Sequence, residues 1–156
     1  MTKSIEEQVH QLEEKLNSIK AEDFMTKDVV LAKQESSLAD VADFMIKKRI
    51  SGLPVGGPDG QLEGIITATD LFTLIDIIRS GTIQGDALNP KVSFAMSTSL
   101  VSIEKTTSLA EIINIMKRKN IHTIPVCEDG KMIGVVGRRD VFKNFYNAAK
   151  SASGQE

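Results

Sequence analysis

Two periods of apolar and polar residues alternate along this chain, and the whole pattern occurs twice. Ile5, Val9, Leu12, Leu16 and Ile19 recur at steps of four, three, four and three, a stripe that predicts a helix over 4–20. The stripe covers little more than two heptads, too short for a stable free coiled coil. It fits a helix packed on its own domain or a dimer contact, with a disordered extension as the third reading. Val29-Val30-Leu31 predicts a short strand. Ser36 or Ser37 is placed to cap a helix with Leu38, Val41, Ala42 and Met45 on one face. Leu53-Pro54-Val55 and the run Leu62, Ile65, Ile66 predict two strands around a turn at Pro58-Asp59-Gly60. There Pro presets φ, and Asp-Gly tolerates the positive φ of a tight hairpin. Gly64, inside the second strand pattern, predicts that another group approaches the backbone closely. A helix then runs from about Asp70 to Arg79 with Leu71, Phe72, Leu74 and Ile75.

The order repeats after a linker, residues 80–92, that holds Gly81, Gly85 and Pro90. Ala95-Met96-Ser97 echoes Phe24-Met25-Thr26, and Leu100 to Ile103 predicts the strand. Leu109, Ile112, Ile113 and Met116 repeat the buried helix face at an offset of 71 residues, after Ser108 and Glu111 at capping-box spacing. Ile121 falls on Ile50, Pro125 on Pro54, Val126 on Val55, Gly134 on Gly64 and Asp140 on Asp70. The offset is 71 up to the Pro-Val pair and 70 after it, because the second turn is one residue shorter. The last helix runs from about Asp140 to Ala149, and 151–156 reads as a frayed tail. Each copy is therefore β-α-β-β-α. One copy of about 50 residues is marginal alone, whereas two can bury the sheet faces that each leaves open. The predicted class is α/β (α+β), two such motifs packed as a pseudo-twofold pair with an extra N-terminal helix. The boundaries are 1–22, 23–79, 80–92, 93–150 and 151–156.

Composition narrows the chemistry. The chain has 156 residues, no Trp and one Tyr, so the core must be aliphatic. A net charge of −2 does not suggest a nucleic-acid binder. The basic runs Lys47 to Arg49 and Lys117 to Lys119 close helices, where cations complement the dipole. The N-terminus lacks a signal-peptide core and no apolar run reaches membrane-spanning length. Cys127 is the single cysteine, which fits a reducing compartment, the cytoplasm. His122 and Cys127 straddle a strand and fall on opposite faces, with no third orienting group, so nucleophilic catalysis is not expected. The spacing of His10, His122 and Cys127 does not suggest a metal site. Gly52, Gly56, Gly57 and Gly60 lack the Lys-Ser/Thr of a phosphate loop. What remains is Asp70 and Asp140, each where a strand gives way to a helix. Such a carboxylate is a helix cap or a ligand group.

The ordered set of segments, repeated at constant offset from about Asp23 to Asn147, resembles a tandem pair of cystathionine-β-synthase (CBS) domains. The resemblance implies a disc-like module, usually paired head-to-head or head-to-tail into a homodimer. It implies that AMP, ADP, ATP or S-adenosylmethionine binds in clefts between the copies as a regulatory ligand, and that a protein effector responds. Asp70 and Asp140 match the family's ribose-binding carboxylate, which can accept hydrogen bonds from both ribose hydroxyls. Thr67 matches a hydroxyl residue that contacts phosphate or ribose. Ile50, Ser51, Gly52, Leu53 and Pro54 match the segment lining the adenine pocket, as do Ile121, His122, Thr123, Ile124 and Pro125. Thr26 and Ser97 lie in the segment that closes it. In copy two Gly137 replaces the hydroxyl, and Arg138 and Arg139 can compensate toward phosphate or form a solvated helix start. The expectation is a stand-alone adenine-nucleotide sensor that is not an enzyme. The alternative is a structural dimerisation module with vestigial clefts.

Overall fold

A computed structural model describes residues 3–81 and 90–154. Its helices are α1 (Ile5–Ser18), α2 (Ala21–Phe24), α3 (Leu38–Lys48), α4 (Ala68–Arg79), α5 (Val92–Ala95), α6 (Leu109–Lys119) and α7 (Arg138–Ala152). The strands are β1 (Gly52–Gly56), β2 (Leu62–Thr67), β3 (Thr123–Glu128) and β4 (Lys131–Gly137). They form two antiparallel hairpins, β1-β2 and β3-β4. The linker residues 82–89 and the last two residues of the tail lie outside the described residues.

The turns explain the change of offset. Asp129 and Gly130 both have positive φ (53° and 77°), a two-residue hairpin loop whose twist matches that of the strands it joins. The first hairpin is longer. Gly60 turns at φ 81°, and the extra residue is absorbed as a bulge between Val55 and Gly56.

The chain divides into two packing units. Unit 1 takes 1–28, 102–128 and 133–156; unit 2 takes 29–101 and 129–132. The division does not follow the two copies, which exchange their opening segments. In unit 1, α2 of the first copy docks at the start of α6 of the second. Ala21 N–H donates to Thr107 O (2.9 Å), Glu22 N–H to Lys105 O (2.9 Å), and Leu109 N–H to Ile19 O (2.7 Å). In unit 2, α5 of the second copy docks at the start of α3 of the first. Leu38 N–H donates to Pro90 O (2.9 Å), Val92 N–H to Ser36 O (2.8 Å), and Ser93 N–H to Gln34 O (3.0 Å). These bonds satisfy amide donors that a helix start leaves without intrahelical partners.

The core of unit 2 gathers Leu38, Val41 and Met45 from α3, Leu53 and Val55 from β1, Ile66 from β2, Leu74 from α4, and Ala32 and Val92. Unit 1 buries the counterparts Leu109, Ile112, Ile124, Val126 and Val136, together with Val141 of α7. Ser37 and Ser108 cap α3 and α6, their hydroxyls accepting from Asp40 N–H and Glu111 N–H (3.1 Å each). Both helices end on a left-handed residue, Arg49 (φ 55°) and Asn120 (φ 50°).

Three expectations are corrected. The opening strands of both motifs are reduced to single bridges, Ala32 parallel to Val55 and Ile103 parallel to Val126. Ala32 bonds Pro54 O and Gly56 N–H, and Ile103 bonds Pro125 O and Cys127 N–H, so each is one residue wide. A turn at Gln34 and Glu35 follows at once in the first copy, and one at Lys105 and Thr106 in the second, leaving no length for a ladder. Second, α7 continues through Ser151 and Ala152 instead of fraying. Ala152 is buried, and the Ser151 hydroxyl accepts from the Lys15 ammonium of α1. Third, α4 and α7 begin at Ala68 and Arg138, two residues before Asp70 and Asp140. In α1, which packs against α6 and α7, Leu12, Leu16 and Ile19 are half-buried while Ile5 and Val9 stay exposed. Three of the five stripe residues are therefore partly covered within their own unit.

Candidate functional site

Each helix start that carries a candidate carboxylate is held beside its candidate pocket segment by one backbone bond. Ala68 N–H donates to Ser51 O (2.9 Å) in unit 2, and Arg138 N–H to His122 O (2.8 Å) in unit 1. The hairpin register sets Gly52 opposite Thr67, Leu53 opposite Ile66 and Pro54 opposite Ile65. Ser51 and Ile50 precede this strand and are exposed, whereas Gly52, Leu53 and Pro54 are buried. In unit 1 Ile124 and Pro125 are buried, Ile121 and Thr123 half-buried, and His122 exposed.

The free edge of each hairpin is closed by the exchanged segment. Ser97 of the second copy bridges Ile65 of the first, N–H to O in both directions at 2.8 and 3.0 Å. Thr26 of the first copy bridges Val135 of the second in the same way, at 2.9 and 3.0 Å. Ile65 and Thr67 share one face of β2, and Val135 and Gly137 one face of β4. Ser97 thus belongs with Thr67 and Asp70, and Thr26 with Gly137 and Asp140. Chain order alone would assign them the other way round.

The glycines at these crossings have a steric reason. A Cβ on Gly64 would lie 2.9 Å from Ser97 O and 3.0 Å from Met96 Sδ. A Cβ on Gly134 would lie 2.6 Å from Met25 Sδ and 3.1 Å from Thr26 O. The close approach read from Gly64 in the sequence is this bridge. Its partners, Met25 and Met96, are matching members of the repeat in the sequence, but are not marked there as the groups that approach these glycines.

The two carboxylates stand in different hydrogen-bonding states. Asp70 closes a capping box on Thr67. Its Oδ2 accepts from Thr67 N–H (2.8 Å) and from the Thr67 hydroxyl (2.9 Å), while Asp70 N–H donates to Thr67 Oγ1 (3.3 Å). One oxygen is engaged, and Oδ1 has no partner among the described residues. Asp140 has no such box, because Gly137 offers no hydroxyl. Its Oδ2 lies 3.8 Å from where a Gly137 Cβ would be, so it hangs over the cap without a hydrogen bond among the described residues. Both aspartates are half-buried. A cap and a ligand group are therefore compatible roles at Asp70.

This geometry gives a direct expectation for Gly137→Thr. The backbone there is extended (φ −99°, ψ 157°), near that of Thr67 (φ −124°, ψ 165°), and a Cβ meets nothing closer than 3.8 Å. The substitution should rebuild the capping box and restrict the unfolded chain. It should raise stability by about 0.5–1 kcal/mol in a urea titration.

Arg138 and Asp140 leave the first turn of α7 on different sides. Arg138 turns to a groove of about 410 Å³ between α6 and α7, with Ile121, His122, Lys117 and Phe142. Its Nη1 lies 3.4 Å from His122 Nε2. Asp140 does not line that groove. Arg139 is exposed. The structure therefore brings Ile121, His122 and Arg138 together but separates Arg138 from the carboxylate. Lys117, which completes the basic rim, was read in the sequence only as a helix-end charge.

Cys127 lies near the end of β3 and is half-buried. Its N–H donates to Ile103 O, and burial pushes its thiol up, partly offset by a hydrogen bond with Ser102. Among the described residues no three His, Cys, Asp or Glu side chains cluster to hold a metal ion. No described helix is long and apolar enough to cross a membrane.

Comparison with known proteins matches this architecture. The family model of the CBS domain matches residues 21–77 and 92–147. Inosine-5′-monophosphate dehydrogenase of Methanocaldococcus jannaschii is 28% identical over 155 residues, covering 97% of this chain. The chain spans only 28% of that relative's length. The crystal structure of CBSX2 in complex with AMP superposes with a TM-score of 0.71 at 24% identity, covering 83% of this chain and 97% of that one. The CBS domain pair of protein MJ0100, in complex with 5′-methylthioadenosine and S-adenosyl-L-methionine, gives 0.70 at 22% identity, covering 82% and 96%. These two likenesses show the fold.

Proposed function

The chain belongs to the CBS domain family, and from that premise we propose that it is a regulatory module for an adenosine-containing ligand. One site is assigned to Asp70 with Thr67, Ser97 and Ile50 to Pro54, the other to Asp140 with Thr26, Arg139 and Ile121 to Pro125. AMP, ADP, ATP and S-adenosylmethionine are the candidate ligands. The solved relatives bound to AMP and to S-adenosyl-L-methionine support that chemical class. The observation that carries the reading is the half-buried carboxylate in the first turn of α4, with one oxygen unengaged, repeated in the first turn of α7. A carboxylate so placed can accept from both hydroxyls of a ribose.

Each site draws residues from both copies, so a bound ligand ties an exchanged segment to a helix start. It favours whichever arrangement of those segments it binds more tightly, and only by that difference in affinity. A homodimer in the cytoplasm, read by a protein effector, completes the proposal. The chain senses in this reading, and chemistry belongs to the effector.

The test is a thermal-shift series with AMP, ADP, ATP, NAD and S-adenosylmethionine on wild type, Asp70→Asn and Asp140→Asn. A ligand at 100 times its dissociation constant should add about 2.7 kcal/mol, and one of the asparagine changes should remove that gain. No shift with any of the five would leave the dimerisation module as the better reading.

A further inference from the structure

The two candidate sites are built alike and charged differently. Each has a half-buried aspartate in a first helical turn, and a backbone bond from that helix start to its pocket segment. In unit 1 that bond joins Arg138 to His122, and Arg138 Nη1 lies 3.4 Å from His122 Nε2. In unit 2 the same bond joins Ala68 to Ser51. The next position along the helix is Arg139 in unit 1 and Thr69 in unit 2, both exposed. Two guanidiniums and an imidazole stand where the first copy has a methyl group and two hydroxyls.

Successive helical residues are about 100° apart. Arg139 therefore falls between Asp140 and Arg138, which turns to the α6–α7 groove. From there its long side chain can reach a phosphate on the 5′ carbon of a ribose whose hydroxyls Asp140 holds. The segments that close the sites do not change the contrast. Thr26 is followed by Lys27 and Asp28, which offset each other, and Ser97 by the neutral Thr98 and Ser99. Unit 2 has one cation beside its pocket segment, Arg49, which ends α3 and has Asn120 as its counterpart. The first turn of α4 has none.

We propose that the two sites divide adenosine ligands by charge, with Arg139 against Thr69 as the deciding difference. The unit 1 site takes a 5′-phosphorylated adenosine. The unit 2 site takes one whose 5′ group carries no phosphate, a thioether or sulfonium of adenosine. The inference rests on the adenosine reading above and adds which class each site takes. Both sites share the carboxylate and the helix start, so neither feature separates the ligands. At unit 1 a guanidinium pairs with the phosphate. At unit 2 a phosphate would approach the Asp70 carboxylate with no cation on the helix turn to match it, and its lost hydration would go uncompensated. Specificity is a difference of affinities, set as much by what one site repels as by what the other attracts.

Isothermal titration of the full chain with AMP and with 5′-methylthioadenosine tests this, because the two compounds differ only in the 5′ group. Asp70→Ala leaves the unit 1 site to be read alone, and Asp140→Ala the unit 2 site, each checked for wild-type circular dichroism. The Asp70→Ala protein should bind AMP roughly tenfold or more tightly than the thioether, and the Asp140→Ala protein should show the reverse order. Reciprocal exchange of the exposed helix residues should then move the preference. Arg139→Thr added to Asp70→Ala should remove most of the advantage of AMP without weakening the thioether. Thr69→Arg added to Asp140→Ala should raise AMP affinity about tenfold. The same order of preference at both sites overturns the proposal, as does a preference that neither exchange moves, or a unit 2 site that binds neither compound. Each of these leaves an adenosine site in unit 1 standing. A wild type that binds neither compound overturns the adenosine reading itself, and the proposal with it.

Discussion

Gly64→Val is expected to lower stability by about 3 kcal/mol, with a fall in melting temperature of roughly 6–12 °C for a chain of this size. The first atom that a Cβ meets is a backbone oxygen, Ser97 O at 2.9 Å, which cannot rotate away as a side chain can. The added carbons must push the Met96–Ser97 segment off β2 and break the two bonds of the Ile65–Ser97 bridge. Gly134→Val should be milder, because the nearest atom there is the flexible Met25 Sδ and the backbone oxygen of Thr26 stands at 3.1 Å. Gly137→Ala is the control. It adds a Cβ in open space at an extended backbone and should not destabilise the chain. Denaturant titrations of the three variants rank these effects, and a Gly64→Val protein as stable as Gly137→Ala would contradict the packing of the exchanged segment.

The second large effect is expected at Asp70. Removing its carboxylate with Asp70→Ala should weaken binding of an adenosine ligand at the unit 2 site by about 100-fold. That corresponds to about 3 kcal/mol for charge-assisted hydrogen bonds to two ribose hydroxyls. The same change dismantles the capping box on Thr67 and should cost about 1 kcal/mol of stability. Asp70→Asn keeps an oxygen to accept from Thr67 N–H, so it should retain most of the cap while losing the charge. Asp140 closes no such box, so Asp140→Ala should weaken its site with little loss of stability. Calorimetric titration of the three variants beside chemical denaturation separates binding from folding. Equal loss of stability at Asp70 and Asp140 would contradict the difference between the two helix starts.

Much of this was legible in the residues. The offset of 71 falling to 70 located both hairpins, and the bulge after Val55 together with the two-residue turn at Asp129-Gly130 is its physical basis. Ser108 was marked by its spacing to Glu111, and Ser37 was one of two adjacent serines placed to cap; each hydroxyl accepts the backbone N–H three residues on. What the sequence could not give was partnership at a distance. Nothing local in Phe24-Met25-Thr26 says that it closes on Val135 rather than on its own copy's Ile65, since the two hairpins offer the same edge. The short strands at Val29 and Leu100 were over-read for a related reason. Their β-branched and aliphatic residues suit a ladder, but one pair of bonds at Ala32 or Ile103 suffices before the chain turns. The separation of Arg138 from Asp140 depends on helix phase at an N-terminus. That phase was set by helix starts two residues earlier than the apolar pattern suggested.

The central claim is that paired aspartates hold the hydroxyls of a ribose. Isothermal titration of wild-type protein with AMP and with 2′,3′-dideoxy-AMP tests it most directly, with the Asp70→Asn/Asp140→Asn double variant alongside. The account predicts that AMP binds, that the dideoxy compound binds about 100-fold more weakly, and that the double variant no longer distinguishes the two. Equal affinity of the wild type for both compounds, or full AMP affinity in the double variant, would contradict it.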